Sequence, residues 1–319
     1  MVDVEEGVRR ITFPLPLGID HVHCYLLRSS SGGWILVDTS LGARDPEAQW
    51  RPVLDALDAP VERIVVTHLH PDHVGGARDL NELTGAPVHQ GREDYAQCVA
   101  AWGSRDPARF ADYWARHGMP GPALEGVARE SERLRAAVHW YEGPELLDAG
   151  DEIDGWRVHA MPGHADGHLC LYRDGVLIAG DSILAPITPA VGLYAESRPD
   201  PLGDYLGSLT DIAELDPRVS YGGHGATVDD PAERAHAIVA HHDERLDQTQ
   251  TALDARARSG YEISHVVFGR ELPPIQRRFA VAETLSHLER LVVLGRAARS
   301  EDDRIVTYTA PQPGGRETA

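Results

Sequence analysis

The chain has 319 residues, 42% of them apolar, and its 50 acidic residues outweigh 30 basic ones to give a formal charge of −20. That is enough chain and apolar surface for one large domain plus a small one, while the acidic excess argues against nucleic acid or an anionic membrane as the main partner. Cys24, Cys98 and Cys170 are widely spaced and form no CxxC pair, the first residues lack the basic and apolar regions of a signal peptide, and no apolar run reaches membrane-span length. A soluble, cytoplasmic protein without a disulfide framework is therefore expected.

Residues 8 to 38 read as three strands, Val8 to Thr12, Cys24 to Arg28 and Trp34 to Asp38, with Ser29-Ser30-Ser31-Gly32-Gly33 turning between the last two. Asp38 closes an otherwise apolar strand. His21 and His23 lie between the first two strands and are candidates for a pocket rim. Asp45 to Leu57 has a helical pattern. The short β-branched run Arg63 to Thr67 then reads as a buried strand.

The next stretch, Thr67-His68-Leu69-His70-Pro71-Asp72-His73-Val74-Gly75-Gly76, concentrates the chemistry. Three imidazoles and a carboxylate fall within six residues, at spacings that one helix face cannot gather, because neighbours on a face lie three or four apart. They belong on a loop between the strand and a helix from Val74 to Gly85, a usual place for a site on an α/β framework. Pro87 to Gln90 is another strand, and His89 in it reads as structural.

Residues 92 to 140 turn helical, with stretches opening at Glu93, from Pro107 to His117 and from Leu124 to Trp140. Trp102, Phe110, Tyr113, Trp114, Met119 and Trp140 concentrate aromatic and apolar surface there. A cap that forms an apolar substrate pocket is one reading; a homodimer contact or an ordinary helical subcore is the other. Short strands return at Trp156 to Met161, His168 to Tyr172 and Val176 to Ala179. Pro186 to Pro201 is a long loop in which Tyr194 and Arg198 are candidate substrate contacts. Asp204 to Leu215 is a helix and Val219 to Tyr221 a strand. After a boundary near Asp229-Asp230-Pro231 come a polar helix from Glu233 to Arg258, a short element at Ile263 to Phe268, a helix from Ala280 to Leu294 and a terminal strand pair ending at Thr309. Residues 311 to 319 are expected to be a loose tail.

THLHPDHVGG resembles the HxHxDH signature of the metallo-β-lactamase superfamily. Leu36 to Ser40, Gly163-His164-Ala165-Asp166-Gly167-His168, Gly180-Asp181-Ser182 and Gly222-Gly223-His224-Gly225 are similar to its other motifs and stand in its order. The resemblance implies an αββα sandwich of the α/β class over residues 1–230, with a helical insertion at about 92–140. Thr284-Leu285-x-x-Leu288-x-x-Leu291 followed by Gly295 resembles a winged-helix recognition helix, which implies a small C-terminal winged-helix-like domain over residues 231–310, as in one subgroup. Its near balance of arginines and acids argues for a packing module over a DNA reader.

Carried onto matching positions, the family's roles imply that His68, His70 and His164 hold one metal ion, Asp72, His73 and His224 a second, and that Asp181 bridges them. Imidazole and carboxylate without thiolate suit two Zn²⁺, with Fe or Mn as alternatives. Asp38 would orient a ligand or its loop, though a turn or helix-cap aspartate is the simpler reading. His168 would support the site. Two such ions generate hydroxide from a bridging water near neutral pH, and Asp72 would be the catalytic residue that orients it or passes its proton. The expected reaction is hydrolysis of an ester, thioester or lactone in a small-molecule or acyl-bearing substrate. The alternative is a phosphodiesterase or endoribonuclease of the same superfamily. Some true β-lactamases carry cysteine where Asp181 stands, which argues against antibiotic hydrolysis.

Overall fold

Cys24–Leu27 and Trp34–Val37 are apolar throughout, so these strands can bury both of their faces. In the computed structural model, which describes residues 1–16, 19–103, 107–302 and 304–311, seven strands lie across one sheet in chain order: β1 (Val2–Glu5), β2 (Val8–Pro14), β3 (His21–Arg28), β4 (Trp34–Val37), β5 (Val61–Val66), β6 (Val88–Gly91) and β7 (Glu145–Leu147). β1 to β4 pair antiparallel and β4 to β7 parallel. Parallel neighbours need crossovers. These are α1 (Pro46–Leu54), then α2 (Pro71–Val74) with α3 (Ala77–Thr84), and then an insertion made of α4 (Arg92–Cys98), a π-helical turn Val99–Gly103, α5 (Pro107–Arg116) and α6 (Gly121–Arg135). Residues 104–106 of the expected insertion, and the expected tail from 312 onward, lie outside the described residues.

The second sheet has the order β12-β11-β10-β9-β8. Its strands are β8 (Glu152–Ile153), β9 (Trp156–Ala160), β10 (Leu169–Arg173), β11 (Val176–Gly180) and β12 (Val219–Gly222), with α7 (Pro201–Leu215) crossing between the parallel pair β11 and β12. Tyr25, Leu27, Ile35, Val37 and Val65 from the first sheet meet Trp156, Val158, Leu171, Ile178 and Tyr221 from the second. The opposite faces pack outward: Leu26, Trp34, Leu36 and Ile64 against Trp50 and Leu80 of α1 and α3, and Leu177 and Ala179 against Tyr205, Leu209 and Ile212 of α7. The result is the expected αββα sandwich.

Beyond it, α8 (Pro231–Thr251), α9 (Gly260–Val267) and α10 (Pro274–Val293) lead into a small sheet of β13 (Arg258–Ser259), β14 (Ala298–Asp302) and β15 (Ile305–Thr309). The order α9, α10, β14–β15 hairpin is that of a winged helix. No residue of α10 from Ala280 to Leu291 is exposed, and α10 touches α6, α7, α8 and α9. No helix among the described residues is long and apolar enough to cross a membrane.

Three sequence expectations shift at their edges. The helix expected from Val74 is broken into α2 and α3 at Gly75-Gly76, where a side chain on Gly76 would meet the Thr39 carbonyl at 2.5 Å. β1, β7 and β8 span only four, three and two residues, too short to leave a strand signal. The polar helix expected to Arg258 ends at Thr251.

A buried histidine pair joins α8 to α10. His287 Nδ1 donates to the Glu283 carbonyl at 2.8 Å, so its Nε2 is an acceptor, and His242 Nδ1 donates to it at 3.3 Å. Burial, reinforced by His287, His241 and Arg245, depresses His242 to about 3, and burial with Arg245 depresses His287 to about 4. Tyr205 packs on the His242 ring, and Arg245 is in turn paired with Glu283 at 3.8 Å. Both pKa values fall below the ordinary histidine value, so from about pH 6.5 down to 4 the unfolded chain binds protons that the folded chain refuses. Folding stability should therefore fall with acidity by about 1.4 kcal/mol per pH unit for each group. Urea unfolding of His242→Asn across this window should show a shallower slope than wild type; an unchanged slope would contradict the assignment.

Candidate metal centre

The strand directions bring the C-terminal ends of β4, β5, β9, β11 and β12 to one place. Asp38 follows β4, and His68 and His70 follow β5. Asp72 and His73 stand on α2, while His164, Asp181 and His224 follow β9, β11 and β12. All seven residues expected as ligands are brought together. His68, His70 and His164 form one group whose donor atoms lie within 4.8 Å of one another, Asp72, His73 and His224 form another, and His68, His73 and Asp181 a third that overlaps both. The glycines before the ligands have steric causes. At Gly223 a Cβ would sit 2.5 Å from Asp181 Oδ1 and from His73 Cε1, and Gly163, at φ +129°, presses on the Tyr205 backbone.

Hydrogen bonds fix which nitrogen faces the centre. A carbonyl or carboxylate only accepts, so the ring nitrogen on it must donate. His164 Nδ1 donates to the Ala190 carbonyl and His224 Nδ1 to the His21 carbonyl, each at 2.7 Å, and His73 Nδ1 donates to Asp38 Oδ2 at 2.8 Å. Thr67 Oγ1 donates to Asp38 and accepts from His68 Nδ1 at 3.0 Å. Each ring is left with its Nε2 lone pair turned inward. His168 runs the other way: its Nε2 accepts from the Asp181 backbone N–H at 3.0 Å, so it positions that residue.

Two of these inward nitrogens and one carboxylate oxygen have no protein partner. Buried His73 Nε2, His164 Nε2 and Asp181 Oδ1 make no hydrogen bond. Asp181 Oδ2 lies 3.5 Å from His73 Nε2 and His164 Nε2 and 3.3 Å from His224 Nε2, and Asp72 Oδ2 lies 3.3 Å from His224 Nε2. Such separations are long for charge-assisted hydrogen bonds. They match the edge of a tetrahedron whose four donors lie about 2.0–2.1 Å from a central ion, about 3.4 Å. The donor set fits metal.

Electrostatics agrees. Burial and the surrounding imidazoles push His68 well below the ordinary histidine range, and burial with His164 holds His70 at about 3. Both rings are thereby held neutral. On the other side, burial opposes charge on His224, yet Asp181 and Asp72 outweigh it and hold the ring at about 10; Asp181, Asp38 and Asp72 likewise raise His73. Against its own burial, Asp181 is held well below the usual carboxylate range by His73 and His224. The cavity favours positive charge.

Asp38 does more than cap a turn: its Oδ1 accepts from Thr67 N at 2.8 Å, and its Oδ2 takes His73. His21 and His23 buttress the His224 loop from behind. His21 Nε2 accepts from Gly225 N at 3.1 Å, and His23 Nε2 donates to the Gly225 carbonyl at 3.0 Å. Arg198 is committed to Glu93 and Asp204, so it is not placed as a free substrate contact, and the Tyr194 ring packs edge-on against Trp114. The insertion's aromatics divide. Trp102 Nε1 donates to the Leu69 carbonyl in the metal loop, while Trp114 and Met119 are buried with α10. Sequence reasoning missed Asp94, whose Oδ1 accepts from Leu69 N. A cleft of about 620 Å³ at the opposite strand ends, near Glu62, His89 and Asp154, holds no such donor cluster among the described residues; Glu62 and Asp154 are taken by Ser29, Ser30 and Ser31.

Residues 17–224 match the family model described as the metallo-beta-lactamase superfamily, and residues 246–311 match the metallo-beta-lactamase-like C-terminal domain. A metallo-beta-lactamase family protein of Thermus thermophilus is 35% identical, with a TM-score of 0.82 over 97% of this chain and 100% of that one. A probable metallo-hydrolase of Bacillus subtilis is 24% identical over 89% of this chain and 92% of its own. An atrochrysone carboxyl ACP thioesterase of Passalora fulva is 23% identical over 77% of this chain and 63% of its own.

Asp38→Asn tests the orienting role. An amide offers one acceptor and sets its NH₂ against either the His73 or the Thr67 donor. Metal binding, read by competition with a chromophoric chelator, should weaken about 10–100-fold. Urea unfolding of the metal-free variant should show a loss of about 1–3 kcal/mol. Wild-type affinity in this variant would remove Asp38 from the site.

Proposed function

The chain belongs to the metallo-β-lactamase superfamily of metal-dependent hydrolases, and within it we propose a dinuclear enzyme that cleaves an ester, thioester or lactone of a small or acyl-bearing substrate. The observation that carries this reading is the ring of inward lone pairs around Asp181 Oδ2, with His73 Nε2 and His164 Nε2 left without protein partners. His68, His70 and His164 would hold one ion, Asp72, His73 and His224 the other, and Asp181 both. The all-nitrogen-and-oxygen donor set suits Zn²⁺, with Fe or Mn as alternatives. When bound, such a pair lowers the pKa of water and polarises a carbonyl oxygen.

The chain's own groups do the rest. Asp72 has the most open carboxylate of the cluster, 13% exposed against 7% for Asp181 and 2% for Asp38. In this reading Asp72 would take a proton from the attacking water and return it to the leaving alcohol or thiol. Asp38, the Ala190 carbonyl and the His21 carbonyl keep three imidazoles in the tautomer that points Nε2 inward. His168 holds the backbone of Asp181. The thioesterase named among the relatives supports an acyl thioester as substrate. The charge of −20 and the covered face of α10 weigh against a polyanion.

The test couples metal content to turnover. Protein loaded with zinc, manganese or iron should take up two equivalents and hydrolyse members of an acyl-thioester and lactone panel. Chelation should remove that activity and re-addition restore it. Asp72→Ala should lower kcat by at least about 10²-fold, the low end for a positioned acid–base group. Cleavage of single-stranded RNA in place of the acyl substrates, weakening steeply with salt, would overturn the substrate class.

A further inference from the structure

Leu69 has no chemistry of its own, yet both its peptide groups are held by side chains. It stands between His68 and His70, whose Nε2 and Nδ1 atoms lie 2.9 Å apart. Its N–H donates to Asp94 Oδ1 at 2.9 Å, and its carbonyl accepts from Trp102 Nε1 at 2.9 Å. Both peptide units that join the two histidines are thus gripped, and both gripping residues come from the insertion. Each grip is itself held. Asp94 is fully buried, and its Oδ2 accepts from Gln90 Nε2 at 2.6 Å. Trp102 lies in the π-helical turn Val99–Gly103, where Arg135 of α6 caps the carbonyls of Ala101 and Trp102 at 2.9 and 2.7 Å. π-helical turns recur at functional sites.

We propose that Asp94 and Trp102 are positioning residues of the metal loop, so that the insertion presets the spacing of His68 and His70 before an ion arrives. Two histidines one residue apart can reach one ion from many backbone conformations, and selecting one of them costs binding free energy unless the fold has already done so. Fixing both peptide planes fixes both Cα–Cβ directions, so the imidazoles converge without further ordering. The inference rests on the assignment of His68 and His70 as ligands in the proposed function.

The experiment uses the full chain and zinc alone, with affinity read by chelator competition and stability by urea unfolding of the metal-free protein. Trp102→Phe keeps a ring but removes the donor, and Asp94→Ala removes the acceptor; each should weaken zinc binding about tenfold. Asp94→Asn should restore near-wild-type affinity, because its Oδ1 still accepts from Leu69 and the Gln90 amide can turn over to meet its NH₂. Arg135→Met, remote from the loop, should weaken binding in the same direction and by less. If Asp94→Ala does not fold, Trp102→Phe and Arg135→Met carry the test. Lowered stability with unchanged zinc affinity in Trp102→Phe would overturn the proposal, as would an Asp94→Asn variant as damaged as Asp94→Ala. His70→Ala separates the underlying reading: it should lose one equivalent of zinc, and retention of both would refute the ligand assignment whatever Trp102→Phe does.

Discussion

A buried carboxylate must find donors or be expelled, and Asp38 finds them in two elements at once. Its 2% exposure leaves water no part in the matter. Thr67 at the end of β5 supplies a backbone and a hydroxyl donor, and His73 on α2 supplies its ring N–H. Satisfying one side chain therefore pins the C-terminal end of one strand to the helix that follows it, and fixes the face of an imidazole. The backbone at Asp38 adopts φ +63° to do so, a left-handed conformation that aspartate tolerates better than most residues. Asp38 thus serves the site without facing it.

The same device recurs with different partners. His164 leans on the carbonyl of Ala190 and His224 on the carbonyl of His21, so three of the five imidazoles proposed as ligands have Nδ1 occupied by an acceptor that cannot be mistaken for a donor. Those acceptors come from the first sheet, from the long loop after β11 and from the β4 terminus. One of them, His224 to the His21 carbonyl, runs from the second sheet to the first, so the sheets could slide only by breaking it. The imidazoles crowded around His68 resist sharing charge, and the hydrophobic contact of Tyr25, Val37, Trp156 and Ile178 between the sheets beneath holds the cluster in place.

The local part of this was legible. Three histidines and an aspartate within six residues, between a β-branched run and a helical one, announce a ligand-bearing loop. Asp38 could be suspected because it ends an apolar strand. His164, Asp181 and His224 carried no such signal alone; they were legible through the ordered motifs they share with a family. Ala190 and His21 act through carbonyl groups, which no side-chain pattern can reveal. Asp94 and Trp102 meet Leu69 across 25 and 33 residues and sit in an insertion whose aromatic content suggested a lid. Arg198 reads as a free contact in sequence because one partner, Glu93, is distant and the other, Asp204, lies in the next helix. The split between α2 and α3 depends on the approach of Thr39, again a non-local cause.

The C-terminal helices explain why the insertion is not a loose flap. Trp114, Met119 and Val127 of the insertion are buried with Ile263, Val281, Leu285, Leu288 and Tyr308 in one cluster. The two parts thus share a single core. The close approach continues in the backbone: Tyr261 N donates to the His117 carbonyl at 3.0 Å, and Gly118, at φ +87°, leaves no room for a Cβ beside Ser259. In a DNA-reading winged helix the second helix keeps an open face for the major groove. Here α10 has been turned inward, touched by α6, α7, α8 and α9, with its leucines at Leu285, Leu288 and Leu291 fully buried. The winged-helix order survives as a packing scaffold. Its consequence for the centre is mechanical: α6, held on α10, carries Arg135, and Arg135 carries the turn that reaches Leu69.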